Sequence, residues 1–507
     1  MFLQSKKVLP WTGKNYFVSI LNFVIHTLIM TGIAIGVTFI NAGGGESFLS
    51  YVSQGSNLIR YAYLGGFVSL LNAAVYLYFY YEFKDYLLKV KNITVLFLIL
   101  YLSYILTFVL GNYVGIYARP IALCALFVLL LINKRTAVFM NFIFAIFVFL
   151  TDVMTNQPFT VMQASSSMIM TVTISIVAVY LIDGTGSRIK VFGMGLVISV
   201  PISVIALILE VETLTDYRNL LTIIFHSFTG GLSSVVIMMA ALPIFEYLFN
   251  ILTNYRLAEI TDHKSKLIKR MKDEAWGTFN HSTVVASLAE TCAAAIEENP
   301  ILARAAAYYH DIGKLKQPIY FTENQDGKYN PHDDLTPELS TEIIRSHTRD
   351  GYELIKKYHL PIILADVARE HHGTLPIQYF YMKALKYTEG ELDINDFCYP
   401  GPKPHSKIAA IIMLADGCEA AVRAHNDRSR EKVEMIVDSI VEDRMKREQF
   451  SDCDITMHEI DLIRDAIVNG LSGVYHDRIK YPKMPKTGKN AFSSSSDRSS
   501  DREEKKN

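Results

Sequence analysis

The chain has 507 residues, too many for one ordinary domain. Half of them are apolar, and 49 basic against 50 acidic residues leave a formal net charge of −1, which excludes the basic excess expected of a protein that binds a nucleic-acid polymer. Five scattered cysteines without CxxC spacing argue against a disulfide framework or a zinc knuckle.

The first half of the chain has the pattern of a polytopic membrane protein. A helix needs roughly 20 mainly apolar residues to span a bilayer, and eight segments satisfy this requirement. The first of these segments, residues 17–40, is too long to be a typical signal peptide. The predicted spans are 17–40, 60–82, 93–112, 114–132, 136–154, 161–182, 190–209 and 219–250.

Basic residues lie in alternate connections between these spans, whereas GNYVG, TNQPF and EVETLTDYR are nearly free of them. The positive-inside rule therefore predicts that both termini are cytoplasmic and that the number of spans is even. The basic residues are Lys6, Lys7 and Lys14 before the first span, Lys84, Lys89 and Lys91 after the second, Lys134 and Arg135 after the fourth, and Arg188 and Lys190 after the sixth.

The second half is charged and holds 12 of the 14 histidines. Residues 254–275 are amphipathic and predict a linker helix that leaves the membrane. From 276 to about 475, apolar residues recur at helical spacing and strand-like alternation is scarce, so we predict an all-helical domain. The polar, serine-rich end of the chain is expected to be disordered.

An alanine-rich helical run in this domain, ARAAAYYHDIGKLKQP (303–318), ends in an adjacent His310 and Asp311. Histidine and carboxylate are the ligands that a first-row divalent metal takes where no thiolate is offered. Adjacent helical residues diverge by about 100°, but they still serve one cluster if Asp311 bridges two metals and His310 binds one. We therefore predict a two-metal centre whose other ligands lie elsewhere.

Further candidate ligands are spread over mainly helical blocks. Each histidine alone is more typical of an ordinary core or surface residue, but the ordered set is improbable by chance. A buried histidine or aspartate without a partner is costly, and a shared metal pair would satisfy them all. The candidates are His281, His347, the pair His371-His372, and Asp416.

This ordered set resembles the HD-domain metal-dependent phosphohydrolases. Residues 60 to about 482 are more closely similar to the seven-transmembrane HD family, whose characterised bacterial members are cyclic di-AMP phosphodiesterases. The stretches that carry the resemblance are GTFNHS, AAAYYHDIGKLKQPIYFTENQ, NPHDDLTPELS, HHGT, YFYMKA, DFCYPGPKPHSKIAAIIMLADGCEAAVR and YHDRIKYP.

The resemblance implies an all-α protein in which a polytopic transmembrane helix bundle precedes an all-helical cytoplasmic HD domain. The family usually carries a large external domain after its first span, whereas only about 19 residues (41–59) fill that place here. We divide the chain into 1–59 (N-terminal tail, first span and short external loop), 60–253 (seven-helix transmembrane domain), 254–275 (linker helix), 276–482 (HD domain) and 483–507 (disordered tail).

The resemblance also implies the residues of the site. Two divalent ions, Fe or Mn, are implied, and Asp311 and Lys314 are the implied catalytic residues. One ion is implied to take His281, His310, Asp311 and Asp416, and the other Asp311, His347, His371 and His372.

Lys314 is implied to meet a phosphate oxygen of the substrate. FTENQ, which contains Asn324, and YPGPKP are implied to shape the nucleotide pocket. Arg423 is a second candidate for a phosphate contact. An ion pair between Arg423 and Glu419 at i, i+4 is an equally weighted alternative.

The function implied is hydrolysis of cyclic di-AMP to pApA by a multi-pass protein of the bacterial cell membrane. A two-metal centre activates water, so no serine or cysteine nucleophile is needed. Two alternatives are a cyclic di-GMP phosphodiesterase, whose usual GYP signature does not follow HHGT here, and a nucleotide-sensing membrane receptor without turnover, against which the full ligand set argues. We expect the lipid bilayer and a cyclic dinucleotide as partners. The spans are expected to anchor the catalytic domain and to permit a homodimer.

Overall fold

The computed structural model of the chain describes residues 11–41, 47–154, 160–185, 188–210, 216–325, 327, 329–387 and 391–474. These residues form α-helices and short 3₁₀ turns, and within the described ranges the one strand-like feature is an isolated antiparallel bridge between Pro376 and Cys398. The predicted all-α fold class is confirmed.

In the described parts of the N-terminal membrane domain there are ten helices. Seven of them are long and apolar enough to cross a membrane, namely α1, α3, α5, α7, α8, α9 and α10. The ten are α1 (Gly13–Asn41), α2 (Phe48–Ser53), α3 (Gly55–Glu82), α4 (Lys84–Leu88), α5 (Val90–Tyr113), α6 (Leu123–Leu131), α7 (Lys134–Met154), α8 (Val161–Ile182), α9 (Arg188–Leu209) and α10 (Tyr217–Leu248).

The predicted fourth span, 114–132, is wrong as one long helix. It consists of a 3₁₀ turn at Ile116–Ala118 and the nine-residue α6, which is about 14 Å long, short of the ~30 Å hydrocarbon core. Pro120 explains the break, because a proline disfavours the helical conformation of the residue before it, and Arg119 has an extended ψ of 135°. The described residues hold seven helices of spanning length rather than eight.

The 116–131 segment nevertheless runs along α7. At one end of the segment, Arg119 forms a buried, bidentate ion pair with Asp152 near the end of α7, with Nη2 and Oδ1 2.8 Å apart. At the other end, α7 begins at Lys134, shortly after α6 ends. Non-helical backbone at membrane depth is tolerated where protein covers it, and α6 is buried. Eight crossings and two cytoplasmic termini stay predictions.

The short connection predicted at 41–59 is partly helical. Helix α2 occupies Phe48–Ser53, and α3 begins at Gly55, five residues before the predicted span. Residues 42–46 lie outside the described residues, as do the end of the predicted HD domain (475–482) and the predicted disordered tail (483–507).

Ten further helices lie in the C-terminal domain up to residue 474, where the described part of the chain ends. The predicted linker helix is wrong as one element, since 254–275 holds two helices, α11 and α12. The ten are α11 (Asn254–Ile260), α12 (Lys266–Glu274), α13 (Trp276–Ala295), α14 (Pro300–Tyr309), α15 (Pro337–Lys357), α16 (Ile362–Glu370), α17 (Gln378–Leu385), α18 (Lys407–Ala424), α19 (Arg430–Lys446) and α20 (Met457–Val474).

Side-chain caps set where three helices near the site begin. Asn299 accepts a hydrogen bond from Leu302 N at the start of α14, and Pro300 occupies its first position. The hydroxyls of Thr336 and Ser406 cap α15 and α18 in the same way. Such caps satisfy backbone N–H groups that have no partner within the helix. They fix the register of α15 and α18, whose inward faces carry polar residues.

Helix α11 joins the two domains. On the membrane side, Arg188 Nε donates to Glu259 Oε1 at 2.7 Å. On the other side, the Tyr309 hydroxyl donates to Ile260 O at 2.6 Å. Since Tyr309 directly precedes His310, the end of α14 is held against the segment that follows the membrane domain.

Candidate metal centre

The structure brings all seven predicted ligands into one cluster inside the C-terminal domain. Six of them are buried, and the side chain of His372 is 22% exposed. They come from five separate segments of the chain, so the fold of the whole domain assembles the site. They are His281 on α13, His310 and Asp311 after α14, His347 on α15, His371 and His372 after α16, and Asp416 on α18.

Asp311 lies between two groups of histidines. Its Oδ2 is 3.4 Å from His310 Nε2 and 3.6 Å from His281 Nε2. Its Oδ1 is 3.4 Å from His347 Nε2 and 3.7 Å from His371 Nε2. The two oxygens of one carboxylate thus face different halves of the cluster, which is the arrangement predicted for a bridging ligand.

Asp416 completes the half that contains His281. Its Oδ1 is 2.9 Å from His281 Nε2 and 3.8 Å from His310 Nε2, and its Oδ2 is 3.8 Å from His372 Nδ1. Within each half the candidate ligand atoms all lie within 4.8 Å of one another. The halves are His281, His310 and Asp416, and Asp311, His347, His371 and His372.

Hydrogen bonds on the outer side of the cluster orient the imidazoles. The Nδ1 atoms of His310, His347 and His371 donate to backbone carbonyls three residues earlier, at 2.6, 2.6 and 2.9 Å. His281 Nδ1 instead contacts Glu419 Oε2 at 2.6 Å. With Nδ1 engaged in this way, Nε2 is the ligand atom that faces the centre.

Two buried atoms at the centre of the cluster are suited to coordinate a metal ion. Among the described residues, His310 Nε2 and Asp311 Oδ1 are buried without a hydrogen-bond partner. Such groups cost free energy, which a bound cation would offset. The donors are imidazole nitrogen and carboxylate oxygen without thiolate, a set that suits first-row divalent metals. The residues therefore fit a divalent metal centre.

The electrostatics of the metal-free site prepare the carboxylates as ligands. Burial opposes the ionisation of Asp311, but the charges of Lys314 and His310 outweigh it and hold its pKa well below the usual range. For Asp416, burial is likewise outweighed, here by the nearby imidazoles of His281 and His310, and the pKa is lowered. Both carboxylates are therefore ionised at neutral pH.

The histidines divide into two kinds. Burial disfavours the charged form of His310, yet Asp311 and Asp416 outweigh it and raise its pKa to about 10. Burial lowers the pKa of His347 to about 3 and that of His372 well below its usual value. His347 and His372 are thus neutral at neutral pH, as metal ligands must be, while His310 carries a proton that a metal would displace.

Lys314 bridges Asp311 and a carboxylate that the sequence reasoning did not identify. Its Nζ is 2.7 Å from Asp311 Oδ2 and 2.7 Å from Glu323 Oε1. Burial opposes the charge of Lys314, but the two carboxylates raise its pKa. Glu323 also accepts from the Thr278 hydroxyl at 3.2 Å. The ammonium is consequently fixed at the edge of the cluster.

The other two predicted substrate contacts are engaged with protein groups. Asn324 Oδ1 accepts from Thr278 N at 3.0 Å, and its Nδ2 donates to Thr278 Oγ1 at 2.9 Å. Arg423 Nη1 lies 3.6 Å from Glu419 Oε1, so the alternative ion pair at i, i+4 is present. Contacts of Asn324 and Arg423 with a substrate stay predictions.

Three residues contact the predicted site residues although sequence reasoning assigned them no such role. Glu419, considered only as an ion-pair partner, is three residues after Asp416 on α18, and this helical spacing could have placed both carboxylates on one face. Glu323 lies within FTENQ, and Tyr399, whose ring stacks on His372 with centroids 4.3 Å apart, lies within YPGPKP. Helical spacing carries no signal for the individual residues of such connections.

Two family models match consecutive parts of the chain. Residues 58–253 match the 7TM receptor with intracellular HD hydrolase, and residues 278–421, which contain all seven clustered residues, match the HD domain. In these two consecutive parts the chain is similar to seven-transmembrane HD proteins. The predicted resemblance to that family is therefore confirmed.

Curated relatives cover both domains. The chain is 38% identical over 371 residues to the cyclic-di-AMP phosphodiesterase PgpH of Listeria monocytogenes serotype 1/2a (strain 10403S), which is 72% of this chain and 50% of that protein. It is 36% identical over 420 residues to the cyclic-di-AMP phosphodiesterase PgpH of Bacillus subtilis (strain 168), 81% of this chain and 58% of that protein. The chain thus spans about half the length of these relatives.

Among solved structures, the chain is similar to the HD domain of L. monocytogenes phosphodiesterase PgpH, with 46% sequence identity and a TM-score of 0.40 over 42% of this chain and 99% of that one. A second crystal structure of that domain, in complex with cyclic-di-AMP, has 48% identity and the same TM-score and coverage.

Proposed function

We propose that this chain is a membrane-bound, metal-dependent phosphodiesterase that hydrolyses cyclic di-AMP to pApA. The observation that carries the proposal is one cluster of seven ligand-type side chains in which the two oxygens of Asp311 face different groups of histidines. The choice of substrate is supported by the curated relatives, both of which are named cyclic-di-AMP phosphodiesterases. The seven apolar helices fit a multi-pass membrane protein.

The proposed centre holds two divalent ions, Fe or Mn. The nitrogen and oxygen donors without thiolate support this class of metal. Asp311 is the proposed bridging ligand because its two oxygens face different halves. The proposed ligands are His281, His310, Asp311 and Asp416 for one ion, and Asp311, His347, His371 and His372 for the other.

When bound, these ions supply Lewis acidity and a water molecule of lowered pKa. The residues of the chain supply position and charge. An ammonium group has three N–H donors, and Asp311 and Glu323 engage two of those of Lys314, which leaves one for a phosphate oxygen of the substrate. Negative charge that develops on that phosphate is then stabilised by a cation fixed before the reaction begins.

We also propose that the chain resides in a bacterial cell membrane with its HD domain on the cytoplasmic side. In this proposal the membrane domain anchors the HD domain and holds two copies of the chain together as a homodimer. Support for the orientation comes from the basic residues in alternate connections, which the positive-inside rule assigns to the cytoplasm. A cytoplasmic site has direct access to an intracellular second messenger.

The test uses the full chain reconstituted in lipid nanodiscs with Mn²⁺ or Fe²⁺. Cyclic di-AMP and cyclic di-GMP are supplied separately, and products are identified by chromatography and mass spectrometry. We expect linear pApA from cyclic di-AMP, and none from His310→Ala. A linear product from cyclic di-GMP alone would favour the alternative phosphodiesterase. Binding without product from either nucleotide, at full metal occupancy, would favour a nucleotide-sensing receptor.

A further inference from the structure

Helices α1, α3 and α4 enclose a groove on the outer wall of the membrane domain. Its volume is about 340 Å³, equal to about ten water-sized groups, which suits part of one acyl chain. Five aromatic residues and one leucine form most of its lining. They are Trp11, Tyr16, Phe23, Tyr76, Tyr80 and Leu87.

The groove opens toward lipid. Ile20 and Leu77 line it from α1 and α3, two of the helices long enough to cross the membrane, and are 62% and 56% exposed. Exposed apolar side chains on a membrane-spanning helix face hydrocarbon. Tryptophan and tyrosine at one end of such helices are typical of the boundary between hydrocarbon and water. An occupant of the groove therefore reaches both environments.

Lys84 lies at the end of this groove that Trp11 and Tyr80 form, where the helices reach the membrane–water boundary. Its Nζ is 4.8 Å from the centre of the Tyr80 ring and 5.3 Å from that of the Trp11 ring, a distance typical of cation–π contacts. The connection from Glu82 to Lys91 carries three lysines against two acidic residues. The aromatic lining thus ends at an ammonium group in a segment of net positive charge.

A buried donor in the lining supports a polar ligand at the same end. Among the described residues, Trp11 Nε1 is buried without a hydrogen-bond partner. Phospholipids carry ester carbonyl oxygens between the phosphate and the acyl chains, and such an oxygen is the acceptor that this indole lacks. The groove therefore offers an apolar channel, an N–H donor and a cation in the order in which a phospholipid presents chain, ester and phosphate.

We propose that this groove binds one anionic phospholipid. One acyl chain lies between α1 and α3, an ester carbonyl accepts from Trp11 Nε1, and the anionic headgroup contacts Lys84. The site is separate from the metal centre, so its occupancy can be measured independently of hydrolysis.

Tryptophan fluorescence tests the proposal directly. Trp11 and Trp276 are the two tryptophans of the chain, and Trp276 lies on α13 of the C-terminal domain. In Trp276→Phe, Trp11 is therefore the sole reporter. The full chain with this substitution is reconstituted in mixtures of ordinary phosphatidylcholine with brominated phosphatidylglycerol or brominated phosphatidylcholine. Bromine quenches indole fluorescence on contact, so the two titrations give relative affinities at the groove.

We expect phosphatidylglycerol to be preferred about fivefold over phosphatidylcholine, the effect of one lysine near a membrane surface. In the same background, Lys84→Gln should abolish the preference. Lys89→Gln, which removes an exposed lysine five residues further along the same connection, should retain it. Equal quenching by both lipids before Lys84 is changed would overturn the proposal. Weak quenching by either lipid would also overturn it, because the groove would then be closed to lipid.

Discussion

Glu419 holds His281 from the side opposite the metal centre, with Oε2 and Nδ1 2.6 Å apart. One turn earlier on the same helix, Asp416 Oδ1 contacts the other ring nitrogen of His281 at 2.9 Å. Helix α18 thus fixes the orientation of the imidazole through both of its ring nitrogens. A carboxylate behind a metal-ligating histidine also makes the histidine a stronger ligand.

Glu419→Ala is expected to weaken metal binding, because loss of such an outer partner typically costs about 10–100-fold in affinity. Competition titration of the full chain with a metal-binding dye measures the loss. Arg423→Gln is the matched control, since Arg423 contacts the outer oxygen of Glu419 and is 39% exposed. A Glu419→Ala protein that binds metal like Arg423→Gln would contradict the role of Glu419.

The bridging role of Asp311 predicts different metal contents for two variants. Asp311→Ala removes an oxygen from both halves of the cluster, whereas His347→Ala removes a ligand from one half. We expect His347→Ala to retain one ion and Asp311→Ala to lose both, with hydrolysis reduced to background in each. Elemental analysis of the purified proteins measures the content. Full metal content in Asp311→Ala would rule out the bridge, and unchanged insertion into membranes shows that the chain has folded.

Metal binding is expected to weaken as pH falls, because His310 must lose a proton before it can bind a metal. The pKa of His310 is raised to about 10, so between that pH and neutrality the incoming metal displaces its proton. Apparent affinity in that half should fall at least about tenfold per pH unit from pH 8 to pH 7. The pKa of His347 is about 3, so His347 adds no pH dependence in this range. Calorimetry in buffers of different ionisation enthalpy measures proton release.

The same shifts give the sign of the stability change in the metal-free protein. The raised pKa of His310 stabilises the fold fully below the pKa of an unfolded histidine, about 6.5, and this contribution is lost as pH rises toward 10. The lowered pKa of His347 acts in the other direction and destabilises the fold as pH falls from about 6.5 toward 3. Metal uptake without proton release at pH 7.5 would contradict the assignment of the proton to His310.

The clustered residues could be predicted from the sequence because each is a histidine or aspartate in or beside a mainly helical block and their ordered set is improbable by chance. The proposed bridge through Asp311 was suggested by the adjacency of His310 and Asp311. Glu323 and Asn324 differ, since a connection without periodicity carries them to Thr278 at the start of α13. That approach depends on Gly277, where a side chain would overlap the backbone of Glu323.

In the membrane domain, hydropathy located the spans but not the irregular backbone. The bounds predicted for α8 (161–182) agree with the structure, because both ends of that helix pass into polar residues. The segment around Pro120 was predicted as one helix, since apolar composition is the same on both sides of the break. Hydropathy reports burial in hydrocarbon or protein, whereas the break follows from the backbone restriction at one residue.

Lys314 and Lys316 form a matched pair for testing phosphate binding. Lys314 is fixed between Asp311 and Glu323, while the side chain of Lys316 is 64% exposed and pairs with Asp350. Lys314→Ala should lower the hydrolysis rate by about 10²–10³-fold, as for loss of one fixed group that stabilises developing charge, with both metals retained. Lys316→Ala should hydrolyse normally. Steady-state kinetics with metal analysis distinguishes the two, and equal rates would remove Lys314 from the mechanism.

Gly313 is expected to be essential for the distance between the two halves of the metal centre. A Cβ at this position would lie 1.9 Å from His347 O and 2.5 Å from Gly351 N, both backbone atoms of α15. Gly313→Ala should therefore push α15 away and lower the free energy of unfolding by about 1–3 kcal/mol, which lowers the unfolding temperature. The displaced helix should also release the ion of the His347 half. Gly473→Ala is the control, because no atom lies within 4 Å of its Cβ position on α20, and there alanine should stabilise the helix by up to about 1 kcal/mol. Thermal unfolding with metal analysis compares them, and identical behaviour of the two variants would show that α15 does not depend on this glycine for its position.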